Sequence, residues 1–238
     1  MDEKKVKTIK KKKFNIKKFL IFLLFLYLLI SGIIYLLNLP IKNIYILGNY
    51  RLTDNEIITT SGIKNYPSIF KTSKKTIIKK LKKISLIKDV NIKKTVKGKI
   101  TLEIFENKIL FLQKSSNLIY LENGKTISEN NQLGIPILLN YVPEEIFDKM
   151  IVSFAKLDNN IIEKISEIEY SPYKGNNEQI IDNERFLLRM NDGNTVYINL
   201  ANIKKLNYYN KIYLKLESQG ILYLDSEDEE NFVFTKYE

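Results

Sequence analysis

The hydrophobic pattern of this chain begins with an apolar run from Phe19 to Leu37. The run holds nineteen residues without a charge, most of them Leu, Ile and Phe. A helix rises ~1.5 Å per residue, so the run spans roughly 28 Å, close to the ~30 Å hydrocarbon core of a bilayer. The pattern predicts one transmembrane helix within residues 19–39, ended by Asn38 and Pro40.

After the run, residues 40–108 change to short alternating and helical patterns. Ile41–Leu47 alternates as a strand, and Thr53–Glu56 has the Thr-x-x-Glu spacing of a helix capping box. This spacing predicts a short helix that ends at Gly62. A second, Lys-rich helix has an apolar face of Ile77, Ile78, Leu81 and Ile84. Two alternating strands follow around a Lys97-Gly98 turn, so the order is β-α-α-β-β.

Residues 109–238 consist mainly of short strands separated by turn residues. The predicted strands are Leu118–Leu121, Lys125–Ile127, Ile161–Ser171, Arg185–Met190, Thr195–Leu200, Ile221–Asp225 and Asn231–Tyr237. Two helices are predicted, one over Ile146–Leu157 and one of roughly fifteen residues that ends near Ser218. The fold class is therefore α+β, with a mostly antiparallel β domain in this half.

Charge is distributed unevenly along the chain. Residues 1–18 carry nine basic and two acidic residues, residues 41–108 carry sixteen and five, and residues 109–238 carry thirteen and twenty. The change of sign near residue 108 predicts a domain boundary there. The twenty residues after Leu37 contain only two basic residues, so the positive-inside rule places the tail of residues 1–18 in the cytoplasm.

A cleaved signal peptide is the alternative to a retained anchor. It would need an A-x-A-like pair of small residues after the apolar run. The chain offers no such pair after Ser31-Gly32, so the pattern favours an anchor in the cytoplasmic membrane with the C-terminal domains outside. The basic tail is interpreted as a topology signal that attracts anionic lipid headgroups, and export of most of the chain disfavours nucleic acid as a partner.

Two residue types that often carry catalysis are missing. The chain has neither Cys nor His, so no disulfide, Cys nucleophile or His base is available. Ser61, Ser166 and Ser171 have no His to activate them, although a Ser/Lys dyad stays open. The acidic run Glu227–Glu230 lacks the ligand spacing of an EF-hand loop. No catalytic, cofactor-binding or metal-binding residue is predicted.

Several ordered motifs resemble the FtsQ/DivIB family of bacterial cell-division proteins, whose membrane-proximal module is a POTRA (polypeptide-transport-associated) domain. They are Ile44–Asn49 with Leu52-Thr53, Ile84–Lys93, Leu118–Gly124 with Leu133–Pro136, Ile165–Ile168, Asp192–Val196 and Tyr223–Asp225. The resemblance covers most of the chain beyond Asn38. It implies a POTRA domain over residues 40–108 and the family's β domain over residues 109–238.

The resemblance also implies a function and a contact region. It implies a non-enzymatic scaffold of the division septum that binds bitopic proteins similar to FtsB/DivIC and FtsL. The implied contact residues are Tyr223, Leu224, Asp225, Phe232, Val233, Phe234 and Thr235. Taken alone, the alternating Phe232 and Phe234 are typical of residues that cap a core, but a C-terminal strand is often an edge strand that accepts another strand. We expect Phe234→Asp to abolish partner capture.

Two other functions remain open from the sequence. One is a POTRA binding module of a polypeptide export system, although residues 109–238 are too few for a long translocator barrel. The other is a membrane-anchored cell-wall enzyme. The Lys-rich face of residues 41–108 is interpreted as a solvated surface or as a contact for anionic headgroups, and self-association stays open.

Overall fold

The N-terminal helix matches the predicted membrane span. A computed structural model describes residues 15–128, 134–226 and 232–238. Helix α1 runs over Ile16–Leu37, starts where Asn15 Oδ1 accepts a hydrogen bond from the Lys18 amide, and ends at Asn38. Among the described residues it is the one helix long and apolar enough to cross a membrane. Residues 1–14 of the predicted basic tail lie outside the described residues.

The chain divides into two compact units, and α1 belongs to the first. The first unit holds the residues up to Leu47 together with Leu52–Lys80 and Asn91–Glu103. The second unit holds Gly48–Arg51, Leu81–Val90 and the residues from Ile104 onward. The boundary that charge places near residue 108 stays a prediction.

The predicted β-α-α-β-β order is confirmed. Its elements are β1 (Asn43–Leu47), α2 (Asp54–Ser61), α3 (Lys74–Leu81), β2 (Ile87–Lys94) and β3 (Lys99–Glu106). The three strands form one sheet in the order β1–β3–β2, with β1 parallel to β3. Most apolar positions of the pattern are buried, among them Ile57, Ile77, Leu81, Ile92, Ile100 and Leu102. Ile44, Ile46, Ile78 and Ile84 are half-buried.

The capping box predicted for α2 is present in full. Thr53 Oγ1 accepts a hydrogen bond from the Glu56 amide at 3.3 Å, and Glu56 Oε2 accepts one from the Thr53 amide at 2.8 Å. The hydrogen bonds that the Thr53 amide and hydroxyl donate to the Glu56 carboxylate lower the pKa of Glu56. The helix ends at Gly62, whose φ of 78° is the left-handed conformation that glycine adopts at low cost.

Most described strands of the second unit form one mixed sheet. The strands are β4 (Ile109–Gln113), β5 (Leu118–Leu121), β6 (Thr126–Ile127), β7 (Ile137–Leu138), β8 (Ile165–Tyr170), β9 (Tyr173–Lys174), β10 (Ile180–Asp182), β11 (Arg185–Met190), β12 (Thr195–Asn199), β13 (Gly220–Tyr223) and β14 (Val233–Lys236). Nine of the described strands pair in the order β14-β13-β12-β11-β8-β7-β4-β5-β6, while β9 and β10 form a separate hairpin.

The prediction of a mostly antiparallel sheet is confirmed. The pairs β12/β13, β4/β7 and β7/β8 are parallel, and the other pairs of this sheet are antiparallel. The helices are α4 (Glu144–Phe154), α5 (Asn159–Ile162), a 3₁₀ helix (Ile203–Tyr208) and α6 (Tyr209–Tyr213). Phe154, Leu206 and Tyr209 from these helices join Phe186, Leu188 and Val196 of the strands in one buried core.

The predicted elements differ from the structure in several places. The strand expected over Ile161–Ser171 starts only at Ile165, because Ile161 and Ile162 belong to α5 and are both buried. The long helix expected up to Ser218 is a 3₁₀ helix followed by the short α6. Its buried residues Ile203, Leu206 and Tyr209 recur every three positions, which is the period of a 3₁₀ helix. Strand β4 was not predicted, because its first three residues are all buried and do not alternate.

Candidate protein-binding site

The candidate site lies at the end of the nine-stranded sheet where β14 is the edge strand. Strand β14 pairs antiparallel with β13, and β13 pairs parallel with β12. The register places Leu222 opposite Phe234 and Tyr223 opposite Val233. The last strand predicted from sequence is therefore confirmed over Val233–Lys236; Asn231 and the acidic run Glu227–Glu230 lie outside the described residues.

The hydrogen-bond pattern shows which backbone groups of β14 face outward. The Tyr237 amide donates to the Gln219 carbonyl at 3.2 Å, just beyond the strand ends. Hydrogen-bonded pairs alternate along antiparallel strands, so Thr235 and Val233 also bond to β13. The N–H and C=O groups of Phe234 and Lys236 therefore point away from β13. No strand within residues 15–128, 134–226 and 232–238 pairs with this side of β14.

The side chains of β14 alternate between the core and the opposite face of the sheet. Phe234 is half-buried and packs against the core that contains Leu222. A Cβ built on Gly220 would lie 2.7 Å from Cζ of the Phe234 ring, so the ring occupies the space above this glycine. Val233 is 59% exposed, and Thr235 is exposed as well. Phe234 therefore contributes to the fold, whereas Val233 and Thr235 are accessible.

Aromatic side chains and an arginine cover the outer face of the neighbouring strands. The rings of Tyr223 and Tyr197 stack with centroids 5.4 Å apart. The guanidinium of Arg185 lies 3.8 Å from the centroid of Tyr197 and 5.3 Å from that of Tyr173. Tyr and Arg are the residue types that dominate binding energy in protein interfaces. This face of β11, β12 and β13 has the composition of such an interface.

Asp225 is held by groups within the second unit. Arg185 Nε donates to Asp225 Oδ2 at 2.6 Å, and Asn199 Nδ2 donates to the Asp225 carbonyl at 3.2 Å. Both side chains of the ion pair are mostly buried. Leu224 is fully buried in the core. Of the seven predicted contact residues, Leu224, Asp225 and Phe234 make contacts within the second unit, and the ion pair with Asp225 holds Arg185 against the ring of Tyr197.

A buried polar network, which the sequence did not predict, fixes the start of β13. The Gly220 amide donates to Asn194 Oδ1 at 2.9 Å, and Asn194 Nδ2 donates to the hydroxyl of Tyr209 at 3.1 Å. That hydroxyl donates to Asp192 Oδ2 at 2.8 Å. Burial, together with the hydrogen bond to Asp192, raises the pKa of Tyr209 well above its usual range. From sequence, Asp192 and Asn194 indicated only a hairpin turn.

The described residues show no arrangement typical of a metal centre. No group of three or more Asp or Glu side chains that could hold a metal ion occurs among them. Ser61, one of the serines weighed as a nucleophile, donates its hydroxyl hydrogen bond to the Ile58 carbonyl at 2.7 Å within its own helix. The described part of the site therefore consists of a sheet edge and an aromatic face.

Two family models match the chain. The first is the POTRA domain, FtsQ-type, over residues 39–107, and the second is Cell division protein FtsQ/DivIB, C-terminal, over residues 111–227. Cell division protein DivIB of Bacillus anthracis is 30% identical over 227 residues, which cover 92% of this chain and 83% of that protein. The chain belongs to the FtsQ/DivIB family.

Other relatives agree with this assignment. Cell division protein DivIB of Bacillus subtilis is 30% identical over 236 residues, covering 93% of this chain and 85% of that protein. The DivIB of Brevibacillus brevis is 28% identical over 218 residues, covering 86% and 80%. The resemblance read from the sequence motifs is thus confirmed, and the relatives support a role in cell division. The candidate site lies mostly within the residues matched by the C-terminal family model, and β14 follows them.

Proposed function

We propose that this chain is a non-enzymatic scaffold of the division machinery that captures another bitopic membrane protein along β14. The observation that carries the proposal is the outward direction of the N–H and C=O groups of Phe234 and Lys236 at the sheet edge. Such groups can pair with an extended segment of another chain, which then continues the sheet. The partner would be a protein similar to FtsB/DivIC, together with one similar to FtsL.

The exposed side chains around this edge suit recognition of a strand. Val233 and Thr235 lie on the outer face of β14, beside Tyr223 of β13. A strand added to β14 would place its alternate side chains next to them, because side chains on one sheet face are neighbours across strands. Backbone pairing would supply affinity, and the tyrosine and arginine face would supply specificity.

The membrane anchor contributes by confinement. The proposed orientation places residues 1–18 in the cytoplasm and the residues beyond α1 outside, as the positive-inside rule indicates. A partner anchored in the same bilayer then meets β14 at a raised effective concentration. A cysteine introduced at Leu47 tests this orientation, because Leu47 is exposed and the chain has no native cysteine that would compete for the reagent. It should react with a membrane-impermeant maleimide in intact cells; protection from the reagent would contradict the orientation.

A proline substitution on β14 tests the proposed mode of binding. Lys236→Pro removes an N–H that points away from β13, so pairing within the sheet is kept, as for prolines on natural edge strands. We expect it to abolish co-purification of the FtsB/DivIC-type partner from membranes. Lys236→Ala, which removes the charge but keeps the N–H, is the matched control and should bind normally. Normal capture by a folded Lys236→Pro protein would contradict the proposal.

A further inference from the structure

The C-terminal end of α1 is hydrogen-bonded to a loop of the first unit. Ser68 Oγ donates to the Leu37 carbonyl at 2.5 Å, and Lys71 Nζ donates to Asn38 Oδ1 at 2.6 Å. The Ile69 amide donates to the Leu39 carbonyl at 2.9 Å. The first of these bonds satisfies one of the carbonyls that the end of the helix leaves without an intrahelical partner. The loop of residues 66–72 is therefore fixed beside the point where α1 ends.

The turn between β2 and β3 lies at the same place. The Lys42 amide donates to the Gly98 carbonyl at 2.7 Å. A Cβ built on Gly98, whose φ is 86°, would lie 2.9 Å from the Pro40 carbonyl oxygen. The turn thus packs directly on the short segment that joins α1 to β1, and residues 95–99 also lie at the end of α1.

The segments that lie at the C-terminal end of α1 carry charged side chains of positive sign only. Residues 38–43, 62–75 and 93–99 contain nine Lys and neither Asp nor Glu. The same segments expose large apolar side chains: Tyr66 is 52% exposed, Phe70 is 45% exposed and Val96 is 73% exposed. Aromatic side chains and lysines together are typical of the interface between hydrocarbon and headgroups, where lysines extend their ammonium groups toward phosphate.

The lysines at the start of α3 are unfavourable within the first unit alone. A helix N-terminus carries partial positive charge and favours Asp or Glu, yet the first turn of α3 has no acidic residue and begins with Lys74 and Lys75. Lys94 donates to the carbonyls of Ile69 and Thr72 next to them. Burial and the charge of Lys74 lower the pKa of Lys94. An external anionic surface would relieve this crowding of positive charge.

We infer that residues 66–75 and 95–99 form a contact site for anionic lipid headgroups in the leaflet where α1 ends. The phosphates would lie against Lys71, Lys74 and Lys97, with the rings of Tyr66 and Phe70 at headgroup level. The contact fixes how the first unit rests on the membrane. It requires α1 to span the bilayer, but it is independent of partner binding at β14.

A fluorescent probe on the full chain tests this inference. The chain has no cysteine, so Val96→Cys provides a single attachment point for an environment-sensitive dye. The labelled chain is placed in nanodiscs of phosphatidylcholine alone, or of an equimolar mixture with phosphatidylglycerol. We expect a blue shift of the emission in the mixture only. A Leu47→Cys control, at the other end of β1, should show the same emission in both.

Charge substitutions test whether the blue shift comes from contact with anionic headgroups or from another cause. Lys74→Glu with Lys75→Glu should remove the blue shift while leaving the melting temperature unchanged or raised, because Glu suits a helix N-terminus. Lys97→Glu, in the exposed turn, is a second variant with the same expected loss. Lys204→Glu with Lys215→Glu makes an equal charge change on exposed positions of the second unit and should keep the shift.

Three results would overturn the inference. The first is equal emission at Val96 in the two bilayers. The second is a blue shift that persists in both the Lys74/Lys75 and the Lys97 variants. The third is a blue shift that soluble polyphosphate produces in phosphatidylcholine nanodiscs, combined with no blue shift in nanodiscs that contain phosphatidylglycerol. That result would identify a soluble anionic polymer as the occupant.

Discussion

The ring of Phe234 lies over Gly220, and this contact joins the edge strand to its neighbour. The two residues are on adjacent antiparallel strands, and a Cβ on Gly220 would lie 2.7 Å from Cζ of the ring and closer still to the Thr235 carbonyl oxygen. The glycine amide is bonded to Asn194. Gly220 is therefore held by Asn194 through its amide and leaves space for the ring of Phe234 from β14.

Gly220→Ala should weaken the attachment of β14. Overpacking of this kind costs about 1–3 kcal/mol, because backbone and ring must both move. Urea unfolding of the full chain in detergent would measure the loss of stability. Gly175→Ala is the matched control, since its new Cβ would meet mainly Cδ1 of Ile181, the end of a flexible side chain. Equal stability of the two variants would show that β14 does not pack as described.

Substitutions at adjacent positions of β14 should affect different properties, one mainly stability and the other mainly partner binding. Phe234→Ala removes a half-buried ring and should cost about 2 kcal/mol, below the 3–5 kcal/mol of a fully buried Phe. Val233→Asp changes an exposed residue, so stability should change by about 0.5 kcal/mol or less, while partner affinity should fall at least about tenfold. Phe234→Asp, expected from the sequence to abolish partner capture, would lower stability as well. Unimpaired binding by Val233→Asp would contradict the assignment of this face.

Tyr209 should make stability depend on alkaline pH. Its pKa is raised by burial and by Asp192, so the folded chain keeps a proton that the unfolded chain releases near pH ~10. The stability that protonated Tyr209 contributes is therefore complete below about pH 10. Above that pH the free energy of unfolding falls by up to ~1.4 kcal/mol per pH unit. The free energy of unfolding should fall less steeply with rising pH for Tyr209→Phe, because this variant lacks the buried hydroxyl. Parallel slopes would contradict the prediction.

The capping box of α2 should be worth a measurable amount of stability. Thr53→Ala removes the side chain that accepts from the Glu56 amide, and loss of such a cap typically costs about 1 kcal/mol. Thr59→Ala, at an exposed position inside the same helix, should be neutral or slightly stabilising because Ala has the higher helix propensity. Thermal melting of the two variants provides the comparison, and a smaller loss for Thr53→Ala than for Thr59→Ala would refute this role.

Local signals in the sequence were sufficient for much of the fold. The charge-free run, the Thr53–Glu56 box and the alternation in β3 each depend on neighbouring residues, and each is confirmed. Ile203, Leu206 and Tyr209 lie three positions apart, and this spacing also fits one apolar face of an α-helix. The sequence therefore predicted one ordinary helix, and only the hydrogen-bonded structure shows that its first part is a 3₁₀ helix.

The remaining features depend on contacts between distant residues. The network from Asp192 through Tyr209 to Gly220 joins three separate segments, and no spacing in the sequence indicates it. The position of β14 at the edge follows from a strand order that includes three parallel pairs. Sequence could identify β14 as a strand, but only the order of the sheet shows which of its amides face outward.

Hydrogen exchange at single amides of β14 tests the central claim most directly. In the free chain, the amides of Phe234 and Lys236 should exchange fast, while those of Val233 and Thr235, bonded to β13, should be protected. Addition of the FtsB/DivIC-type partner should slow exchange at Phe234 and Lys236, because an added strand would bond to them. A bound partner that leaves these two amides exchanging at the free rate would contradict strand addition at β14.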